Sequence, residues 1–463
     1  MSHPNIIYIH SHDTGRYVQP YGYAIPTPNI QKLAQEGVLF RQAFCANPTC
    51  SPSRACLLSG QWAHTAGMGG LVNRGWSFPH PRQLIMHTLK RSGYETVLAG
   101  FQHVVNNVED AGYTRLLTQE EEYKGGAETR AVAYISEAAE AAKSGDQPFF
   151  LDVGFGETHR ANTVKPGGFA PQPDGELPTD PRYVKPPAPF PDIPETRQDM
   201  ADYIDAARTL DQKMGRVFTA LEENGLADNT LVICTTDHGL AFPEMKCHLS
   251  DHGTGVMLIM RGPAGFSGGQ VLDALVSQID LFPTVCALAG IDRPDWLQGV
   301  SVLPLVRGET DTIREAVFSE VNYHCCYEPQ RAIRTQRWKY VRRYDQAKRW
   351  AMPNCDDSIS KTLLLDHGWR DRPTEPERLY DLVFDPHECH NMIPSGQAPE
   401  PVLSQLRQQL EQWRQETDDP TLEHQVMMPP ETAIVNDPAA LSPDDPHYPA
   451  REFMREMIER EST

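Results

Sequence analysis

The sequence predicts an α/β fold over residues 1–305, followed by a smaller α+β unit. Three observations predict it. The chain is 463 residues long, which suits one large domain and a smaller one. Through the first 305 residues, short apolar runs alternate with amphipathic stretches. After about residue 310 the character changes to strand-like segments and one amphipathic helix.

The elements follow in order. Asn5–Ile9, Glu95–Ala99, Phe149–Gly154 and Thr230–Cys234 are short continuous apolar runs, the pattern of strands buried on both faces. Between them, Asp199–Asn224 repeats Tyr203, Ala207, Leu210, Met214, Val217 and Leu221 at helical spacing. Residues 160–197 are rich in proline and glycine and read as a long ordered surface loop that roofs a site. In residues 306–430, AVFSEV, RAIRTQRWKYV and ERLYDL read as strands of a short antiparallel sheet. Leu403, Leu406, Leu410 and Trp413 mark the single helix packed with it. Residues 431–463 form an acidic, proline-rich tail that wraps the surface or moves freely.

The totals restrict function. Lys plus Arg is 42 against 62 Asp plus Glu, a net charge of −20. Nucleic acid as a partner needs a cationic surface, so that class is excluded. An anionic substrate must then meet a local positive pocket in a negative protein. No apolar run reaches membrane-spanning length, and no signal peptide is visible, so the chain reads as cytoplasmic. The ten cysteines include no CxxC pair, which argues for buried apolar thiols rather than a zinc ribbon or redox motif. Oligomeric state is not readable.

In an α/β sheet, ligands gather at the carboxyl ends of the strands. Those ends here carry His10-Ser11-His12-Asp13, Gly100-Phe101-Gln102-His103, Gly156-Glu157-Thr158-His159-Arg160 and Thr235-Thr236-Asp237-His238. Any one histidine or aspartate in a loop is ordinarily a cap or a solvated residue. Four coincident sites point to a functional cluster. Asp13 with Asp237-His238 has the donor chemistry of a divalent-metal site: anionic oxygens plus neutral nitrogen. An all-oxygen shell suits calcium or magnesium, and one or two imidazoles shift the preference towards manganese, zinc or iron. His12 is either a further ligand or a hydrogen-bonding neighbour.

One further stretch, CSPSRACLLSG over residues 50–60, places a thiol before a helix N-terminus. Pro52 suits the first turn and Gly60 the end. Free N–H groups there favour an anion, and Arg54, one turn on, presents two donors to it. A thiolate nucleophile is one reading, and a buried structural cysteine at a cap is another.

CSPSR followed by ACLLSG resembles the signature of the type I sulfatase family, the formylglycine-dependent branch of the alkaline-phosphatase superfamily. Further segments resemble it in order: PNIIYIHSHDTG, IPTPNIQKLAQEGVLFRQAFCANPTC, NGLADNTLVICTTDHG, VSQIDLFPTVCALAGI and RLYDLVFDPHECHNM. The similarity runs from Pro4 to about Asp419. FRQAFCANPTCSPSRACLLSG, the GETHR segment and EQWRQETDDP look closest to the heparan N-sulfatase (sulfamidase) branch and its bacterial relatives.

The resemblance implies an alkaline-phosphatase-like large mixed sheet flanked by helices. It implies that Cys50 is oxidised to formylglycine by a formylglycine-generating enzyme and hydrates to a geminal diol. One hydroxyl of the diol attacks sulfur and the other expels sulfate. Carried over to this chain, Arg54 supports residue 50, and Asp13, Asp237 and His238 occupy metal positions with residue 50 itself. His103 matches the histidine that handles the diol proton, His159 a sulfate-binding histidine beside the leaving group, and Lys246 the lysine bridging sulfate and leaving atom. Without the resemblance, Lys246 reads as a solvated loop lysine. Three positions depart from the family pattern. His12-Asp13 replaces Asp-Asp, Asp237-His238 replaces Asp-Asn, and Phe101 replaces a lysine. Calcium follows from the family, and with His12 and His238 in the set, manganese, zinc and magnesium are the alternatives. His252 is either a replacement ligand, a substrate contact or a surface residue.

The function expected is hydrolysis of a sulfated carbohydrate, as an O-sulfate ester or N-sulfamate. The alternative is a phosphonate monoester or phosphodiester hydrolase with the same nucleophile, and a third reading is a catalytically silent binding protein. His324, Tyr327, Arg331 and the 160–197 loop are candidate sugar contacts.

Overall fold

The computed structural model describes residues 3–452 apart from 121–123, 144, 146, 162–166, 171–172, 174, 423–425 and 449. Part of the 160–197 loop and the tail's last stretch, 453–463, therefore lie outside the described residues.

The large sheet has eight strands: β1 (Asn5–Ser11), β2 (Val38–Phe44), β3 (Glu95–Leu98), β4 (Arg115–Leu116), β5 (Phe149–Gly154), β6 (Thr230–Thr236), β7 (Leu258–Arg261) and β8 (Gln270–Ser277). Their order is β4-β3-β5-β1-β6-β7-β2-β8. All neighbours are parallel except at β7, which runs antiparallel to β6 and β2. The sheet is mixed, as the resemblance implied.

The central strands are buried along their whole length, which is why they read as unbroken apolar runs. Alternate residues face opposite ways. Ile6 and Tyr8 join one apolar cluster with Phe40, Leu258 and Phe282, and Ile7 and Ile9 join another with Leu210, Met214 and Val217. The helices that cover the sheet are α1 (Pro28–Glu36), α2 (Cys50–Ser59), α3 (Ile85–Arg91), α4 (Ala127–Ala142), α5 (Pro194–Glu223), the single turn α6 (Asp251–Thr254) and α7 (Leu281–Ala289). The long helix starts five residues before the expected Asp199, because Pro194 sets its first turn.

Another single turn, α8 (Leu303–Val306), leads to a second sheet of β9 (Val317–Tyr323), β10 (Tyr327–Arg334), β11 (Trp338–Arg343) and β12 (Glu377–Asp381), antiparallel in the order β12-β11-β10-β9. RAIRTQRWKYV, expected as one strand, is two, reversed at Thr335–Arg337. The Thr335 N–H bonds the Trp338 carbonyl at 2.8 Å and closes the turn. This part holds two helices rather than one: α9 (Ile359–Asp366) and α10 (Glu400–Glu416). α10 buries Leu403, Leu406, Leu410 and Trp413 against Ile333, Tyr340 and Leu379, and the same cluster includes Cys56 and Trp62 of the large sheet's side. The described part of the tail wraps the surface. Met427, Ala433 and Val435 join the first apolar cluster, and β13 (Ile434–Val435) pairs with β14 (Arg451–Glu452). All ten cysteines are free, and only Cys389 is exposed.

Candidate active site

The carboxyl ends of β1, β5 and β6 converge because β1 lies between the other two, with His10 opposite Gly154 and Ser11 opposite Thr236. The chain leaves β1 through Asp13 in the left-handed region, φ 56°. A non-glycine residue is held there only where surrounding contacts demand it. The contacts are visible. The Asp13 N–H donates to Asp237 Oδ1 at 2.8 Å, and the Gly15 N–H donates to the His238 carbonyl at 2.8 Å. The two loops are thus stitched together with both carboxylates facing inward, and both are buried.

His12 lies between these carboxylates, its Nδ1 at 2.8 Å from Asp13 Oδ1 and 3.1 Å from Asp237 Oδ2. His238 Nε2 is 3.3 Å from Asp13 Oδ1 and 3.4 Å from Cys50 Sγ. Cys50 is the first residue of α2, which ends at Gly60 in the left-handed conformation that glycine adopts without strain. Arg54, fully buried one turn on, donates from Nη2 to Asp237 Oδ2 at 2.9 Å and to the Ser11 carbonyl at 3.1 Å. Its Nη1 lies 2.6 Å from His10 Nδ1. Arginine cannot accept, so His10 Nδ1 accepts and its Nε2–H donates to Asp152 Oδ1 at 2.9 Å. The Tyr113 hydroxyl donates to the other Asp152 oxygen at 2.6 Å.

Lys246 is not solvated. Its buried Nζ sits 2.9 Å from Asp13 Oδ2, 2.9 Å from Asp356 Oδ2 and 3.5 Å from His159 Nε2. His103 lies across His12, ring centres 6.4 Å apart, with Nδ1 buried and without a hydrogen bond. Phe101 stacks on His12 at 5.5 Å and lies under the Arg54 guanidinium, so the position where the family carries a lysine is an apolar floor.

His12, Asp13, Cys50 and Asp237 place one potential ligand atom each within 4.8 Å of one another, and His238 borders this set. Two carboxylates, one or two imidazoles and a fourth polar group fit a divalent cation. Electrostatics agree. Burial alone would raise the carboxyl groups of Asp13 and Asp237, but Lys246 and His12 at Asp13, and His12, His238 and Arg54 at Asp237, outweigh it and hold both below the ordinary carboxylate range. Burial pushes His12 down to about 4, against the pull of Asp237 and Asp13, so its ring is neutral at pH 7 and has a lone pair to offer. The Cys50 thiol is pushed well up, first by burial, with Asp13 and Asp237 adding to it against Lys246 and Arg54. Reactive cysteines have depressed pKa values, so the unmodified thiol is badly placed for a thiolate mechanism.

Every residue singled out for the site meets in this cluster: Asp13, His12, Cys50, Arg54, His103, His159, Asp237, His238 and Lys246. Two other expectations need correction. Arg331 is wholly buried, its guanidinium clamped by Asp419 at 2.6 Å with Glu320 beside it, so it cannot touch a sugar. His252 is held by the Tyr17 hydroxyl at 2.6 Å and His387 at 3.2 Å and is not in the metal-ligand set. The 160–197 loop was expected to roof a site, and its described Glu176–Ala188 stretch lines a cavity of about 1000 Å³ with Tyr17, Tyr23 and Met200, whose lining includes none of the cluster residues above. Tyr327 packs against Tyr323 at 4.8 Å. His10, Asp152 and Asp356 were missed as site residues. Only the run of polar residues closing β1 signalled His10. Nothing local signals Asp356, which arrives from more than a hundred residues beyond Lys246.

Comparison with known proteins agrees with this geometry. The Sulfatase family model matches residues 4–291, and the model for the C-terminal part of N-sulphoglucosamine sulphohydrolase matches residues 245–360. The human (Homo sapiens) N-sulphoglucosamine sulphohydrolase is 30% identical over 451 residues, covering 86% of this chain and 87% of that protein. An ulvan-active sulfatase of Formosa agariphila is 25% identical, covering 89% and 74%. Among solved structures, a 2-O GAG sulfatase superposes with TM-score 0.67 at 22% identity, covering 93% of this chain and 96% of that one. A protein solved with its substrate D-glucosamine-2-N,6-O-disulfate superposes with TM-score 0.66 at 20% identity, covering 91% and 100%. These two show a shared fold. The phosphonate hydrolase alternative finds no support among these relatives. The family match over most of the large sheet, with its signature at the mouth of α2 and the carboxylates facing it, makes this chain a member of the sulfatase family.

Proposed function

We propose that the protein hydrolyses the sulfo group from a sulfated saccharide, with an N-sulfated glucosamine as its substrate and residue 50 as its nucleophile after oxidation to formylglycine. The observation that carries this is the placement of Cys50 at the start of α2, facing His238, Asp13 and Arg54 with no route to an easily formed thiolate. The 30% identity to the human N-sulphoglucosamine sulphohydrolase supports the N-sulfated substrate.

Asp13, Asp237, His238, His12 and residue 50 would hold a divalent metal, which would supply Lewis-acid polarisation, and residue 50, once oxidised, would supply the attacking oxygen. The rest is done by the chain. Arg54, fixed on Asp237, Ser11 and His10, presents a permanent cation that needs no reorganisation as charge develops. Lys246 offers a second cation. Burial opposes its charge, but Asp13 and Asp356 outweigh that and keep it protonated. His159 donates its Nδ1–H to the Arg160 carbonyl at 2.7 Å, so its Nε2 accepts, 3.5 Å from the Lys246 ammonium, which is the proton donor for the departing nitrogen or oxygen. His103 is pushed down to about 3 by burial, then by His12 and Arg54, so it is neutral, and its Nδ1 has no hydrogen-bond partner among the described residues.

The test is sulfate release from protein produced with a formylglycine-generating enzyme and supplied in turn with calcium, magnesium, manganese and zinc. N-sulfoglucosamine, O-sulfated glucosamines and a phenyl phosphonate ester form the panel. Sulfate release from the N-sulfated sugar, absent in Cys50→Ala, is expected. No sulfate from any substrate, or faster turnover of the phosphonate, would overturn the proposal.

A further inference from the structure

The C-terminal part brings two polar groups towards the site, Asp356 at 2.9 Å from Lys246 and His324, whose polar atoms are not all used by the reaction. Asp356 follows Asn354 and Cys355, and His324 sits in the turn between β9 and β10. One side chain fixes both segments. Asn354 Oδ1 accepts the N–H groups of Cys325 at 2.9 Å and Cys326 at 2.7 Å, while its Nδ2 donates to Glu328 Oε2 at 2.9 Å. Glu328 Oε1 in turn accepts from Arg343 Nη1 at 2.9 Å. On the other flank Lys361 Nζ donates to the Cys355 carbonyl at 2.7 Å. Asn354 and Glu328 are buried, so the two segments are pre-organised as one unit.

What this unit presents is unfinished. Asp356 Oδ2 is 2.9 Å from Lys246 Nζ, yet it accepts no directed hydrogen bond, although the atom is buried. His324 is 7% exposed and its Nδ1 is buried without a partner. The Asn354 bonds to Cys325 and Cys326 hold His324 on the segment tied to Asp356, and the charges of Lys246, Asp356, Arg74 and His238 reach it there. Buried polar atoms are nearly always satisfied, and exceptions call for a ligand or a function. Burial would raise the Asp356 carboxyl, but Lys246, then His159 and His324, outweigh it, so it is a carboxylate. A carboxylate beside an anion pocket weakens the binding of the anion itself. Its partner must therefore be another part of the substrate, one rich in donors.

Resting on the function proposed above, we infer that Asp356 and His324 form a saccharide-recognition wall that binds hydroxyl or N–H donors of the sugar next to its sulfo group. Asp356 accepts from the sugar, and His324 Nδ1 completes a second bond. The unit comes from outside the large sheet and touches the reacting end of the site through Lys246.

The test is calorimetric binding to the full-length Cys50→Ala protein, in which no turnover intervenes. The probes are N-sulfoglucosamine and inorganic sulfate, measured with and without Asp356→Asn, and again with His324→Ala. Loss of a charged hydrogen bond should weaken the sugar about tenfold to a hundredfold in Asp356→Asn, while sulfate binds equally or more tightly. His324→Ala should likewise weaken the sugar more than sulfate. Parallel weakening of both probes would mean that Asp356 only positions Lys246, and unchanged sugar affinity would mean that it touches no sugar. Either result overturns the inference and leaves the function intact. No sugar binding with Asp356 present would remove the functional reading and this inference together.

Discussion

Asp237 joins four residues of the site. Its Oδ1 accepts the N–H groups of Asp13 and His238, and its Oδ2 meets Arg54 at 2.9 Å and His12 at 3.1 Å. Asp237→Ala removes a ligand and leaves the buried Arg54 short of its counter-charge. The protein should purify with metal content near zero, read by elemental mass spectrometry, and lose stability by about 3–5 kcal/mol in denaturant titration. Full metal occupancy in this variant would show that the ligand set lies elsewhere. At this scale, the residues legible in the sequence were those that end a strand or open a helix, because a strand end fixes its next few residues in space. Asp13, Asp237, Cys50 and Arg54 are of that kind. Lys246 emerged only through family resemblance, since a lysine in a loop carries no local sign of burial. Asp356 carries no such sign either, since the Asn354 bridge and Lys361 that fix its segment join parts of the chain that local sequence does not relate.

Between elements, the long α5 does more than cover the sheet. Its Asp211 caps the start of α1 from outside. Oδ1 accepts the Ile30 N–H at 2.9 Å, and Oδ2 accepts the Asn29 side-chain amide at 2.7 Å. Thr27, at the cap position itself, makes no such bond. Asp211→Ala should therefore lower stability by about 1–2 kcal/mol, as a cap loss does, with kcat unchanged. Stability within a few tenths of the parent would contradict that role. The strands buried on both faces were plain in the sequence. β2, β7 and β8 were not, because β7 is only four residues long and β8 begins on exposed residues with a weak apolar pattern. The reversal between β10 and β11 was hidden by a charged turn that reads as part of a strand.

Across the whole molecule, the two sheets are joined by a buried ionic cluster. Arg331 of β10 binds Asp419 beyond α10 at 2.6 Å, and Glu320 of β9 binds His64 of the large-sheet side at 2.7 Å. The change of character near residue 310 was legible, but this coupling was not, because its members lie hundreds of residues apart. Global stability should also depend on pH through His248, which is buried against Trp350, ring centres 4.7 Å apart. Burial, with Arg378 and Arg343 adding to it against Glu244, pushes its pKa down to about 4. An unfolded histidine titrates at about 6.5, so between those values the unfolded chain binds the extra proton. Its contribution is complete above about pH 6.5 and is lost as pH falls towards 4, about 2 kcal/mol between pH 7 and 5. Urea unfolding at both pH values should show a loss smaller by about that amount in His248→Leu, and an equal loss would contradict the assignment.

The central claim, that residue 50 acts as a formylglycine in a sulfatase site, is tested most directly by the mass of the peptide containing Cys50. The peptide should come from protein made alongside a formylglycine-generating enzyme and shown to release sulfate. The account predicts the mass of the aldehyde or its hydrate. An unmodified thiol in protein that still releases sulfate at full rate would contradict it.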